Sequence, residues 1–134
     1  MKRKDGADNA WANLYGIFAE ILSFPNSELA GSIESGFLMM TLELLTRDVI
    51  PPGSVPLEGL GPAALSGPVL EAEYIRVFDV PDRIPTPLYT GVYATRRRDA
   101  MEELVRMYRH FGLTVDEDAR DLPDFVPTVL EFLH

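Results

Sequence analysis

The sequence predicts an all-α fold, a single helical bundle, and three observations support this prediction. Apolar residues recur at helical spacing in five segments spread along the chain. Most of these segments are bounded by a capping residue, a proline or a glycine. The one stretch with strand-like residues, 84–93, contains two prolines and a glycine, which argue against a paired strand. We therefore expect one helical domain over residues 1–134, with five main helices and no sheet.

The first two helices are predicted in the N-terminal third of the chain. Helix one has Asp8 or Asn9 as its N-cap and Pro25 as its stop. Its apolar residues are Trp11, Leu14, Tyr15, Phe18, Ile21 and Leu22. Helix two is predicted from Asn26 or Ser27 to about Arg47 as one element, with Gly31 and Gly36 weakening its first half. Its apolar residues spread around more than one face, so we expect it to be buried on several sides.

Residues 50–68 contain so many prolines and glycines that a loop is predicted there. Helix three follows, with an apolar stripe of Leu70, Tyr74, Val77 and Phe78. Glu73 and Arg76 lie three residues apart on its surface, which predicts an ion pair. Residues 84–93 are then expected to form an ordered extended loop.

The last two helices carry the clearest patterns. The fourth has apolar residues at the spacing i, i+3, i+4, i+7 and i+10, namely Met101, Leu104, Val105, Tyr108 and Phe111. Gly112 stands where a C-terminal cap is expected. Asp124 is the predicted N-cap of the fifth helix, which puts Pro127 at its third position. The apolar residues predicted to face inward are Val126, Val129, Leu130 and Leu133. Their stripe is left uncovered, which predicts either a truncated domain lacking C-terminal helices or a homodimer through the terminal helices.

Composition excludes several classes of function. The chain has 12 basic and 21 acidic residues and a net charge of −9, which disfavours a nucleic-acid partner. The absence of cysteine excludes disulfides and thiolate metal sites. No uncharged apolar run is long enough for a membrane helix, and the basic start lacks a cleavage site, so we expect a cytoplasmic protein without stable membrane insertion.

Residue types that carry catalysis or bind cofactors are sparse. His110 and His134 are the only histidines and lack metal-ligand spacing, and no phosphate-binding glycine loop is present. We therefore predict no metal and no cofactor. Glu73 and Asp124 form the one carboxylate pair considered for acid–base catalysis. The basic run 96–98 is interpreted as a solvated surface, with an anion site or a movable helix start as the alternatives.

Four segments in the C-terminal half resemble a known family. They are Glu71 to Phe78, Pro85 to Tyr93, Met101 to Leu113, and Leu122 to Pro127 with Leu130 to Leu133. In this order they are similar to the TorD/DmsD/NarJ family of molybdoenzyme chaperones, and within it to the branch that serves type II members of the dimethyl sulfoxide reductase family. The resemblance covers about the last 65 residues, and the first helices match it in pattern alone.

The resemblance implies a surface that receives the partner's leader peptide. It places Pro85, Pro87, Tyr89 and Tyr93 of the loop on that surface, together with Pro123 and Asp124 before the last helix. The family has a histidine at the next position, where this chain has Phe125, so an apolar contact replaces any polar role there. Glu73 and Tyr74 match a further family motif.

Each of these residues also has a structural interpretation. Asp124 is the predicted N-cap, Glu73 is interpreted as a surface carboxylate, and Tyr74 as a core residue. For the loop tyrosines we favour binding, since aromatic rings held by prolines in an exposed loop offer contact area at little entropic cost.

The function that the resemblance implies is maturation of a redox enzyme. The chaperone would bind the twin-arginine leader or the apo form of a molybdoenzyme catalytic subunit and hold it until cofactor insertion and export. One alternative is a NarJ-like assembly factor that does not gate export. A second, of another class, is a small acid–base enzyme using Glu73 and Asp124.

Overall fold

A computed structural model describes the protein at residues 3–47, 49–51, 54, 66–79, 86–114 and 122–134. Within these ranges the chain forms six α-helices and one 3₁₀ turn. They are α1 (Arg3–Leu22), α2 (Ser27–Glu34), α3 (Phe37–Thr46), α4 (Gly67–Phe78), the 3₁₀ turn (Thr90–Tyr93), α5 (Arg97–His110) and α6 (Val126–Leu133). The β pairing in the described ranges is limited to an isolated antiparallel bridge between Tyr89 and Phe125. The predicted all-α fold is confirmed, while the expected count of five helices is wrong.

Helix α1 begins earlier than predicted. It starts at Arg3, so neither Asp8 nor Asn9 is its N-cap, and both residues lie inside the helix. It ends close to the predicted stop, where the amide and the hydroxyl of Ser23 both donate to the carbonyl of Ala19. These bonds satisfy one of the carbonyl groups that a helix end leaves free.

The predicted second helix is two helices. Asn26 caps α2, because its side-chain oxygen accepts a hydrogen bond from the amide of Leu29 at 2.8 Å. The chain then turns at Gly36, which adopts a left-handed conformation with φ of 75° and precedes α3. The expected burial on several sides is wrong for α3, because Phe37, Met40 and Leu44 are each more than half exposed, while Leu42 is buried.

Helix α4 includes the end of the predicted loop. It begins at Gly67, with a proline in its first turn, so the loop predicted over residues 50–68 is shorter than expected. Most of that loop lies outside the described residues. The ion pair predicted between Glu73 and Arg76 is confirmed, with 2.6 Å between carboxylate and guanidinium.

Of two predicted helix caps, the one after α5 is correct and the one before α6 is wrong. Gly112 follows α5 with φ of 78°, as expected for a C-terminal cap. The N-cap of α6, however, is Phe125 and not Asp124, so Pro127 occupies the second helical position instead of the third. The reason is that the Asp124 side chain hydrogen-bonds the backbone of a distant residue.

The core lies mainly between α1 and α6, which form the most extensive helix contact. Leu14 of α1 is 2% exposed. The two helices approach closely at Gly16, where an added Cβ would lie 3.0 Å from the imidazole of His134. That imidazole also contacts the carbonyl of Ala12, at 2.8 Å from Nδ1.

The apolar stripe of α6 is covered only in part. Val129 and Leu130 are half-buried, while Leu133 remains 47% exposed. The homodimer and the truncated domain both stay predictions. None of the described helices has the length and hydrophobicity that crossing a bilayer requires.

Candidate functional site

The candidate site is a junction between two segments that are far apart in sequence. We call residues 86–94 the aromatic loop and residues 122–125 the lead-in to α6. The amide of Thr90 donates to the carbonyl of Asp124 at 2.8 Å, and the amide of Val126 donates to the carbonyl of Leu88 at 2.8 Å. These two bonds flank the bridge between Tyr89 and Phe125. The loop is therefore ordered as predicted, but it ends in the 3₁₀ turn and is not extended throughout.

Asp124 holds this junction from inside. It is 0% exposed, and its Oδ2 accepts a hydrogen bond from the amide of Gly91 at 3.1 Å. The same oxygen lies 3.8 Å from Nε of Arg97 at the start of α5. One carboxylate thus connects the loop, α5 and the lead-in to α6. Its other oxygen, Oδ1, has no hydrogen-bond partner among the described residues.

Only glycine fits at the point where the loop meets this carboxylate. A Cβ on Gly91 would lie 2.6 Å from Oδ2 of Asp124 and 2.7 Å from Cγ of Arg97. Both distances are shorter than atoms tolerate without movement of the surrounding groups. The small residue therefore permits the close approach of loop backbone and buried carboxylate.

Tyr108 connects α5 with the lead-in to α6. This buried residue donates a hydrogen bond from its hydroxyl to the carbonyl of Pro123 at 2.9 Å. Burial raises the pKa of the Tyr108 phenol, and the negative charge of Asp124 raises it further. Its ring packs edge-on against Phe132 of α6, with 4.9 Å between the centroids. The lead-in is thereby held by one hydrogen bond from Tyr108 of α5 and another from Thr90 of the aromatic loop.

The outer surface of the junction is aromatic and apolar. Tyr93 is 67% exposed and Val92 is 48% exposed. The hydroxyl of Tyr93 donates to the carbonyl of Pro87 at 3.1 Å, which closes the loop on itself. Tyr89 is half-buried and packs on Phe125, with 5.4 Å between the ring centroids. Such a surface offers contact area for a ligand on a fixed backbone.

The structure brings together most of the residues predicted for the leader-binding surface. Those at the junction are Pro87, Tyr89, Tyr93, Pro123, Asp124 and Phe125. Pro85 lies outside the described residues. The predicted binding role of these residues stays a prediction, and full burial limits Asp124 to acting through the loop that it positions.

Glu73 and Tyr74 belong to a different part of the molecule. The Tyr74 hydroxyl donates to the carbonyl of Leu22 at 3.0 Å, and its ring packs against Phe24 and Phe78. Tyr74 therefore connects α4 to the end of α1. Glu73 is exposed beside its ion-pair partner.

Three contributors to the junction were missed from the sequence. Gly91 was considered only as a strand breaker, and Arg97 only as part of a basic run. Tyr108 was predicted only as part of the apolar stripe of the fourth helix, without its hydrogen bond to Pro123. Gly91 stands among the strand-like residues 88–93, and this is the one local signal that an unusual backbone contact occurs there.

The geometry gives no support to acid–base catalysis by Glu73 and Asp124. The hydrogen bond from Arg76 lowers the pKa of the exposed Glu73 carboxyl, which opposes a role as a general acid near neutral pH. Asp124 is enclosed and bonded to Gly91. In the described part of the chain, no group of acidic residues and histidines is arranged to hold a metal ion.

Each arginine of the basic run 96–98 lies near a carboxylate. Arg96 lies 3.6 Å from Asp99, and Arg98 lies 3.0 Å from Glu102. Arg97 contacts the buried Asp124. The run is thus largely neutralised where it borders the aromatic loop.

Comparison with known proteins identifies the family to which this sequence is similar. The family model described as Nitrate reductase delta subunit matches residues 61–134. A chlorate reductase assembly chaperone protein from Ideonella dechloratans is 34% identical over 105 residues, covering 76% of this chain and 54% of the relative. A perchlorate reductase assembly chaperone protein from Dechloromonas aromatica (strain RCB) is 30% identical over 133 residues, covering 93% and 59%.

A selenate reductase assembly chaperone protein from Thauera selenatis is 32% identical over 105 residues, covering 76% of this chain and 54% of the relative. The chain thus spans between 54% and 59% of the length of these relatives. No solved structure matches it. The predicted resemblance to molybdoenzyme chaperones is confirmed, and the relatives are named as chaperones and not as enzymes, in agreement with the prediction.

Proposed function

Because the chain belongs to the nitrate reductase delta subunit family, we propose that it is a maturation chaperone for a molybdoenzyme of the type II dimethyl sulfoxide reductase family. It binds the apo form of the catalytic subunit, through the twin-arginine leader or a neighbouring segment. Binding in the cytoplasm holds the subunit until its cofactor has been inserted and export can begin. The chaperone itself carries no cofactor.

The observation that carries this proposal is the exposed aromatic loop on a fixed base. Tyr93 and Val92 face outward. The backbone of the loop is held at Gly91, whose amide donates a hydrogen bond to the buried Asp124 carboxylate. A partner that docks on such a surface does not have to order it first, which reduces the entropic cost of binding. An apolar leader segment is the kind of ligand that gains most from this contact.

The net charge of the chain also favours a basic leader as the partner, because it acts at longer range than the loop contacts. The net charge of −9 attracts a basic leader and speeds its encounter with the chain. The arginines beside the loop oppose this attraction only weakly, since carboxylates pair with Arg96, Arg97 and Arg98. We therefore expect charge to steer the leader and the aromatic surface to retain it.

A titration with a synthetic twin-arginine leader peptide tests the proposal. Tyr93→Ala removes the most exposed ring of the loop and should weaken binding by about 1–2 kcal/mol, roughly five- to thirtyfold in Kd. Tyr93→Phe keeps the ring and loses only the bond to Pro87, so it should bind almost as the wild type does. Added salt should lower the affinity of all variants.

A matched control uses an exposed aromatic residue elsewhere. Phe37 of α3 is 59% exposed, and Phe37→Ala should leave leader affinity unchanged. Equal losses from Phe37→Ala and Tyr93→Ala would indicate non-specific apolar contact. Unchanged affinity in a folded double variant, Tyr89→Ala with Tyr93→Ala, would exclude the aromatic loop as the binding surface.

The second candidate is a NarJ-like assembly factor that binds the enzyme core and does not gate export. The family description favours it, since it refers to a nitrate reductase delta subunit. Co-purification of the chain with the catalytic subunit, with and without the leader, distinguishes the two. Retention of a leaderless subunit at full yield would favour the assembly factor, and its loss would favour leader recognition.

A further inference from the structure

A second surface of this acidic protein has the opposite charge. An open groove of about 730 Å³ runs along α5. Its lining among the described residues is Arg97, Arg98, Met101, Glu102, Val105, Arg106 and Arg109. Four arginines and one glutamate give it a formal charge of +3, against −9 for the whole chain.

The lining forms two parallel rows along the helix. Met101 and Val105 are half-buried and make an apolar floor that lies between Arg97 and Arg109 at i+4 spacing. The second row places Arg98, Glu102 and Arg106 beside it at the same spacing. Charged groups thus border an apolar strip along its length.

The arginines nearest the C-terminal end of α5 are free to bind an anion. Arg106 has a long contact of 3.4 Å from Nε to the backbone carbonyl of Glu102. Neither Arg106 nor Arg109 forms an ion pair with any residue that the structure describes. By contrast, Arg97 and Arg98 already contact carboxylates. The unbalanced positive charge therefore lies at one end of the groove.

The dimensions of the groove indicate a polypeptide and not a single small anion. From residue 97 to residue 109 a helix rises by about 18 Å. An extended peptide covers that distance with roughly five or six residues. A phosphate group would engage one or two arginines and would gain nothing from Met101 and Val105.

From these observations we propose that the α5 groove is a docking surface for a partner segment in which acidic and apolar residues alternate. In an extended segment alternate side chains project to opposite faces, so the apolar ones face the floor, and the long arginine side chains at its border reach up to the carboxylates on the other face. This surface adjoins the aromatic loop at Arg97 and selects the opposite charge to a twin-arginine leader. The proposal does not depend on whether the leader binds.

A labelled decapeptide of alternating glutamate and leucine is the probe, with an alternating lysine–leucine peptide of equal length as its control. The full chain should bind the acidic peptide, measured by fluorescence anisotropy, and the affinity should fall with salt. Arg106→Glu should weaken it by about tenfold, and Arg109→Gln by a smaller factor. Circular dichroism establishes that each variant is folded.

The matched control is Arg47→Glu, an exposed arginine at the end of α3 that changes the net charge by the same amount. It should change Kd by less than about twofold, as expected for a screened distant charge. Equal weakening by Arg47→Glu and Arg106→Glu, equal binding of the lysine–leucine peptide, or no binding of the acidic peptide would overturn the proposal.

Two alternative ligands of the α5 groove would each give a different experimental result. Displacement of the acidic peptide by inorganic phosphate at similar concentration would mean a simple anion site and would overturn the proposal. The chain's own acidic residues 116–118 are the second competitor. They are neutralised in a triple variant that combines Asp116→Asn, Glu117→Gln and Asp118→Asn.

The control for this variant neutralises three exposed carboxylates of α2 and α3, through Glu28→Gln, Glu34→Gln and Glu43→Gln. Both triple variants change the net charge by the same amount. A larger gain in peptide affinity from neutralising residues 116–118 would assign the groove to the chain's own segment and overturn the proposal. Equal small gains from the two variants would support a partner.

Discussion

The carboxylate of Asp124 and the amide of Gly91 form a buried hydrogen bond of 3.1 Å that joins the aromatic loop to the start of α6. Thirty-three positions separate the two residues in sequence. The backbone pairing around them runs through the same residues, since the carbonyl of Asp124 also accepts from Thr90. The position of the aromatic loop therefore depends on a side chain that is fully buried.

Replacing Gly91 by alanine should destabilise the protein. The new Cβ would lie 2.6 Å from the Asp124 carboxylate, so the loop has to move or the bond has to lengthen. We expect a loss of about 1–3 kcal/mol in the free energy of unfolding, measured by urea denaturation. Gly31→Ala is the control, because an added Cβ at this exposed helical position meets nothing within 4 Å. It should stabilise α2 by up to about 1 kcal/mol, and a loss equal to that of Gly91→Ala would argue against the close contact.

Removing the Asp124 carboxylate should lower the stability of the protein, and an asparagine side chain at this position should recover part of the loss. Asp124→Ala leaves the Gly91 amide without its acceptor and the Arg97 side chain without its counter-ion, at about 2–3 kcal/mol. Asp124→Asn retains an oxygen acceptor for the amide and should lose less. Asp99→Ala removes an exposed carboxylate paired with Arg96 and should stay within about 0.5 kcal/mol of the wild type. Thermal unfolding of the three variants gives the order, and a harmless Asp124→Ala would contradict it.

Whether the sequence predicts a contact depends on how far apart its two residues lie along the chain. The ion pair of Glu73 and Arg76 and the cap at Gly112 were predicted correctly, because each depends on residues within one helical turn. Asp124 was wrongly assigned as an N-cap for the same reason. An aspartate just before an apolar segment has the local pattern of a cap, and its bond to Gly91 is visible only once the chain has folded.

The same argument applies to the candidate site. The sequence identified the two tyrosines of the aromatic loop, because prolines and tyrosines mark such a loop by composition. It did not identify Gly91, Arg97 or Tyr108 as parts of the junction, since their roles arise from contacts with Asp124 or Pro123 across the fold. Local patterns thus reveal what a loop presents, and tertiary contacts determine what holds it.

The hydroxyl of Tyr108 should contribute to stability and to its dependence on alkaline pH. Tyr108→Phe leaves the carbonyl of Pro123 without its donor and should lower the free energy of unfolding by about 1 kcal/mol at neutral pH. Folding raises the pKa of this phenol, so the folded state keeps its proton more firmly than the unfolded state does. Stability is therefore full below the unfolded pKa of about 10 and falls as the pH rises above it.

The phenylalanine variant lacks this titration and should show a weaker fall in stability at alkaline pH. The control is Tyr93→Phe, which removes an exposed hydroxyl bond to Pro87 and should lose less stability at neutral pH. Urea denaturation at pH 8 and at about pH 10.5 measures the difference. Identical pH dependence in the wild type and in Tyr108→Phe would show that this phenol does not titrate differently on folding.

The break between α2 and α3 at Gly36 can be tested by substitution. One continuous helix and two separate helices predict opposite effects of Gly36→Ala on stability. If residues 26–47 formed one continuous helix, Gly36→Ala would stabilise it by about 1 kcal/mol, as for any exposed helical glycine. In the observed structure Gly36 has φ of 75°, a conformation that a Cβ disfavours, so the same substitution should cost about 1–2 kcal/mol. Asn is tolerated in this left-handed conformation, so Gly36→Asn should be closer to the wild type than Gly36→Ala. Chemical denaturation that places alanine below asparagine, and both below glycine, is the expected result. A gain in stability from Gly36→Ala would mean that α2 and α3 join into a single helix.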